Sequence, residues 1–218
     1  MKFNRHSFAA TLPLTLTLAL ACGCTTAHAA VAQYTVQAAW FASVAPPTVL
    51  NIDGVADGTA VSTQYQGVGA TFSAFNGGAP TAAAESNPHS LFHVLSVDPT
   101  PVSAGGGVAL SLSTPSAGFA FWFNDSQFAG NTVVLYDATN QVLSSYEMPY
   151  PHPTEWLFVG FTSSQTDIAR VEIAIGSQDR VTLDDVMFAA AVPEPAPALL
   201  LLTGGSLLAW LARRRRAG

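Results

Sequence analysis

Three aspartates, Asp53, Asp184 and Asp185, are the side chains of this sequence best suited to hold a cation. Asp184 and Asp185 interrupt an apolar run from Val181 to Phe188, where an ionised carboxylate is costly unless it is exposed or bound to something. Side chains alternate across a strand, so one of the pair points outward and the other inward, and Asp185 is the one assigned inward. Near a sheet edge it would meet Asp53 or Asp57 and nearby carbonyls around a structural Ca2+, an ion that takes roughly six to eight oxygen ligands. The competing arrangement leaves one carboxylate in water and bonds the other to turn amides. No contiguous calcium loop of spaced aspartates is present.

A second constellation is the aromatic and proline-rich stretch Tyr146-Glu147-Met148-Pro149-Tyr150-Pro151-His152-Pro153-Thr154-Glu155-Trp156. Flat rings on a stiff loop can stack on sugars, with Tyr146, Tyr150 and Trp156 as the platform and Glu147, His152 and Glu155 as hydroxyl partners. The same residues also fit a rigid connection whose Trp156 enters the core. Hydrolysis would need a carboxylate pair such as Glu147 and Glu155, and nothing fixes their separation. His89 and His93 lack the intervening glutamate of a zinc-protease helix, and on a strand they stand about 13 Å apart, too far to share a metal. There is no Gly-x-Ser-x-Gly elbow, and the Gly-rich stretches lack the Lys and helix of a phosphate loop. The expected protein is not an enzyme.

The elements that must carry these residues are strands. Period-two alternation puts Tyr34, Val36, Ala38, Trp40, Ala42 and Val44 on one face of an opening strand, ended by Pro46-Pro47. Further strands are predicted over 48–52, 69–75, 91–97, 108–112, 132–136, 142–148, 156–161, 170–175 and 181–188, with Asp137-Ala138-Thr139-Asn140 as a hairpin turn. Phe119-Ala120-Phe121-Trp122-Phe123 is apolar on both faces, as in a central strand covered on both sides. No window outside the two chain ends has a convincing helical stripe. The expectation is an all-β two-sheet sandwich, most simply a jelly roll.

Charge narrows the partners. Of eight basic residues, Lys2, Arg5 and Arg213 to Arg216 lie at the ends, leaving Arg170 and Arg180 in the body against thirteen carboxylates. Nucleic acid, which needs clustered Lys and Arg, is excluded as an expected partner.

Residues 1–29 read as a secretory signal: Lys2 and Arg5, an apolar run from Phe8 to Ala21, then Ala27-His28-Ala29 at the cleavage site. Cleavage there removes Cys22 and Cys24, leaving the body, 30–191, without a thiol or a disulfide. A lipid-attachment role for Cys22 is the alternative. At the other end, Val192-Pro193-Glu194-Pro195 precedes an uncharged run over 196–212, long enough for a membrane helix of roughly 17 to 25 residues. Arg213, Arg214, Arg215 and Arg216 would hold the C-terminus in the cytoplasm and leave Glu194 on a stiff, accessible segment outside.

The order of these parts, over 192–218, resembles the PEP-CTERM sorting signal, also known as the ice-binding protein C-terminal domain. The resemblance implies an exported protein, spanning the inner membrane as an intermediate, recognised by an exosortase and delivered to the cell envelope or extracellular surface, where exopolysaccharide is a candidate partner. Within the body, Phe119 to Phe123, Val133 to Ala138, Val159-Gly160-Phe161 and Leu183-Asp184-Asp185-Val186 resemble pieces of secreted galactose-binding, carbohydrate-module domains. That resemblance implies a jelly roll, often with a structural calcium between its first and last strands. The body would thus be structural or adhesive; the alternatives are a calcium-assisted carbohydrate-binding module and a polysaccharide hydrolase.

Overall fold

The computed structural model describes residues 30–77, 80–98, 105–150 and 155–190. The secretory signal, the sorting motif Val192 to Pro195, the membrane helix over 196–212 and the arginines 213–216 lie outside the described residues. Among the described residues no helix is long and apolar enough to cross a membrane.

The chain is all-β and forms two antiparallel sheets. In order come β1 (Val31–Tyr34), α1 (Gln37–Phe41), β2 (Thr48–Leu50), β3 (Ala70–Phe75), β4 (Thr81–Ala84), β5 (His93–Val97) and β6 (Gly106–Ser116). They continue with β7 (Gly118–Asn124), β8 (Thr132–Tyr136), β9 (Val142–Glu147), β10 (Leu157–Ser163), β11 (Ile168–Ile175) and β12 (Val181–Ala189). One sheet has seven strands in the order β1-β10-β7-β12-β5-β4, with β2 also paired to β12; the other runs β3-β6-β11-β8-β9.

The alternating residues of these strands build the interior. Phe119, Phe121 and Phe123 of β7 and Phe161 of β10 meet Leu110, Val133, Leu135, Val171 and Ile173 from the five-stranded sheet, all of them buried. The hairpin turn forms as its residues require: Asp137 Oδ1 accepts the Thr139 and Gln141 N–H groups, each at 2.8 Å, and Asn140 takes a left-handed φ of 63°.

Both faces of β7 are covered, as its sequence predicts, and the outer cover comes from an element read differently above. Tyr34 to Val44 is not one strand. The chain leaves β1 and winds into α1, a single helical turn that sets Trp40 fully buried against Phe158, Val44 and Met187 on the outer face of the seven-stranded sheet. Glycines make the room: a Cβ on Gly160 would lie 2.7 Å from Trp40 Cδ1, and one on Gly118 2.6 Å from Val44 Cγ1. The Trp40 indole N–H then donates to the Phe161 carbonyl at 3.0 Å. A period of two cannot register this, because the tertiary seat decides the local conformation.

Candidate functional site

The candidate site lies where β12 changes partners. Along one edge β12 pairs with β5 through Val181 to Leu183 and with β2 through Val186 to Phe188, so Asp184 and Asp185 fall at the gap between two strands laid end to end. On the other edge the register to β7 shifts between Asp184 and Met187, and Asp185 has a φ of 46°. This is a β-bulge with a left-handed residue, which swings the strand and lets two consecutive carboxylates serve one locality.

The gap is filled by the segment ahead of β5. Asp184, fully buried, accepts Ser90 N–H at 2.7 Å, Ser90 Oγ–H at 2.8 Å and Asp185 N–H at 2.8 Å. Asp53, in the short 3-10 turn after β2, accepts Phe92 N–H at 2.6 Å and His93 N–H at 2.9 Å. Ser90 Oγ lies 3.4 Å from Asp53 Oδ2, so both carboxylates hold the same loop. Burial pushes the Asp184 carboxyl up, only partly opposed by the Ser90 donors, and the neighbouring Asp185 pushes the same way. Burial also works against Asp53, yet the His93 and Phe92 amides hold its carboxyl below the ordinary value.

The three predicted cation ligands are therefore together, but not as expected. Asp184, across from Trp122 and on the same outer face of the sheet, is the fully buried carboxylate, Asp185 is half-buried, and β12 lies inside its sheet rather than at an edge. The oxygens of Asp53 and Asp184 receive protein N–H and O–H donors, and among the described residues no group of three or more His, Cys, Asp or Glu is arranged to hold a metal ion. Asp57 accepts the Ala84 amide at 2.9 Å.

The pinned loop presents a ring. His89 Nδ1 donates to Asp185 Oδ2 at 2.9 Å, and the imidazole stacks on Trp122 with centroids 4.0 Å apart and planes 19° from parallel. Trp156 meets the His89 ring edge-on at 5.9 Å and donates its indole N–H to the Asn87 carbonyl at 2.8 Å. Trp156 also lines a hollow of about 190 Å³, together with Glu85, Ser86, Asn87, Asn124, Asp125, Arg180 and Thr182. Arg180 Nε donates to Asp125 Oδ2, and Asp125 Oδ1 accepts Gln127 Nε2 at 2.8 Å.

No family model and no curated protein matches this chain. Solved structures do resemble it. The K2 cleaved adhesin domain of Lys-gingipain is similar at 11% identity over 66% of this chain and 98% of that one, with a TM-score of 0.47. The K3 cleaved adhesin domain of the same protein, from Porphyromonas gingivalis w83, is similar at 14% identity over 70% and 96% of the two chains, with a TM-score of 0.38. A variant of a family 29 carbohydrate-binding module is similar at 11% identity over 66% and 91%, with a TM-score of 0.41.

Of the predicted sugar platform, Trp156 lines the hollow. Tyr146 turns into the sandwich, edge-on to Phe161 at 5.9 Å, and burial raises its phenol pKa. Tyr150, between Pro149 and Pro151, is exposed, and His152 lies outside the described residues. Glu147 and Glu155 are both exposed. The sequence reading missed His89, Asn87, Trp122 and Arg180 as parts of one place. Arg180, one of two basic residues in an acidic body, was the available signal.

Proposed function

We propose that the body is a non-catalytic carbohydrate-binding domain of jelly-roll, galactose-binding type, which sits on the outside of the cell. The observation that carries this is the hollow: an indole held by a hydrogen bond to the Asn87 carbonyl and a ring contact to His89, in a lining shared with Asn124, Asp125 and Arg180. A pyranose needs one flat apolar face and a few fixed donors and acceptors at its rim, and that set is what these residues offer. The alternation of the later strands between sheets, β10 to β11 to β12, supports the jelly-roll reading. Retention on insoluble polysaccharides tests the function. Trp156→Ala should lower retention by about two- to tenfold, the worth of a stacked ring at roughly 0.5–1.5 kcal/mol; unchanged retention rejects the reading.

Export and sorting by an exosortase belong to the same proposal and rest on Pro193-Glu194-Pro195 and the arginines behind it. Mass spectrometry of the C-terminus from intact cells checks it: recovery of the peptide bearing Arg213 to Arg216 on most copies would exclude processing near Glu194.

A further inference from the structure

We infer that the hollow beside Trp156 takes a sugar carrying a free amino group, a hexosamine unit, with Glu85 as the residue that selects it. This rests on the sugar-binding reading and narrows it. Three ionisable side chains line the hollow: Glu85, Asp125 and Arg180. Two of them satisfy each other, since Arg180 Nε bonds Asp125, itself buried and bonded to Gln127. Glu85 is different. Its backbone N–H reaches the Phe92 carbonyl, but its carboxylate has no hydrogen bond or ion pair among the described residues. With two carboxylates and one guanidinium, the lining of the hollow carries one net negative charge, and Trp156 lines the same hollow.

That combination discriminates by charge. A uronate or sulfated sugar would bring an anion to a site whose single cation is already paired, and the other cation of the body, Arg170, is bonded to Glu172 over the Tyr136 ring. A neutral hexose would leave Glu85 to water. An ammonium group on a pyranose stacked against Trp156 meets both the carboxylate and the π-face, two attractions that reinforce each other in a half-enclosed place. The field around Arg180 agrees: Asp125 first, then Glu85 and Asp98, hold its guanidinium more firmly protonated, as expected where carboxylates outnumber cations.

Titration calorimetry on the purified full-length protein tests this with three soluble tetramers: glucosamine, N-acetylglucosamine and galacturonate. At about 0.15 M salt, where surface charges are screened beyond roughly 8 Å, the amine should bind at least about fivefold tighter than its N-acetyl form, and the uronate should not bind. Glu85→Gln should abolish the preference, bringing the amine and N-acetyl tetramers to the same affinity. The side chain is bonded to nothing in the described structure, so this change spares the fold. Equal binding of amine and N-acetyl forms, or binding of galacturonate, overturns the inference and leaves the sugar reading standing. Amine binding that survives both Glu85→Gln and Trp156→Ala is general attraction to an acidic surface and also overturns it. Failure of all three tetramers, together with loss of polysaccharide retention, removes both.

Discussion

The outer face of the seven-stranded sheet is covered twice, by two different strategies. At one end Trp40 drops from a single helical turn into a seat cleared by Gly118 and Gly160, and its indole N–H finds the Phe161 carbonyl. At the other end a loop lays His89 over Trp122, and the loop is tied down by carboxylates of Asp53, Asp184 and Asp185. Phe158 joins the two, with its ring 6.2 Å from Trp40 and 5.4 Å from Trp122. The Trp40 end leaves no polar atom of its indole unpaired, whereas the Trp122 Nε1–H is buried without an acceptor among the described residues. The first cover is therefore built for stability. The second carries a desolvation cost and a cluster of carboxylates, and it holds a polar, ring-bearing loop whose residues Glu85, Ser86 and Asn87 line the hollow.

Trp40→Ala should show the largest effect. It empties a fully buried site, with a cost of about 3–5 kcal/mol, which denaturant melts would report as a lower midpoint. Sugar retention by the fraction that remains folded should be unchanged, because the hollow lies at the other end. A variant that lost retention while folded would break the division between the two covers.

Asp184→Ala should come next, at about 2–3 kcal/mol, since it leaves two half-buried backbone amides and a hydroxyl without their acceptor while relieving repulsion with Asp185. Unlike the Trp40 change, it should also weaken retention, because Ser90 is released and with it His89 and the edge contact to Trp156. Full retention at lowered stability would mean that the carboxylates serve the fold alone.

Much of the sandwich was legible because its residues follow a local rule. Phe119, Phe121 and Phe123 alternate with Ala120 and Trp122, and the strand forms where the period says it should, within a residue or two. β4, Thr81-Ala82-Ala83-Ala84, carries no such signal, and only its pairing with β5 makes it a strand. The short turn at Trp40 was invisible for the same reason: its cause is a pair of glycines far away in the chain. The candidate site was half legible. Asp184 and Asp185 announced themselves by standing in an apolar run, Asp53 entered only as a carboxylate in a turn that could join them, and the three do share a locality. His89 drew notice only as a spacing partner of His93; its seat between Asp185 and Trp122 depends on a bulge in β12 that a period of two cannot encode.

The smallest effect expected is a change of slope, and it discriminates between the two covers most sharply. Asp53 has a lowered carboxyl pKa, so its stabilising contribution is complete above the ordinary value near 3.8 and is lost as pH falls through the lowered one. Asp184 has a raised pKa, so its contribution is complete below that ordinary value and is lost as pH rises through the raised one. The two oppose each other on either side of the same point. In melts taken across the acid range, Asp53→Asn should flatten the loss of stability on the acid side, and Asp184→Asn the loss on the other side, whatever each does to the absolute level. Trp40→Ala should shift the whole curve down without altering either slope, because nothing in its seat titrates there. If Trp40→Ala tilted the curve, or if neither asparagine variant changed it, the carboxylates would not be what distinguishes the loop-covered end from the tryptophan-covered one.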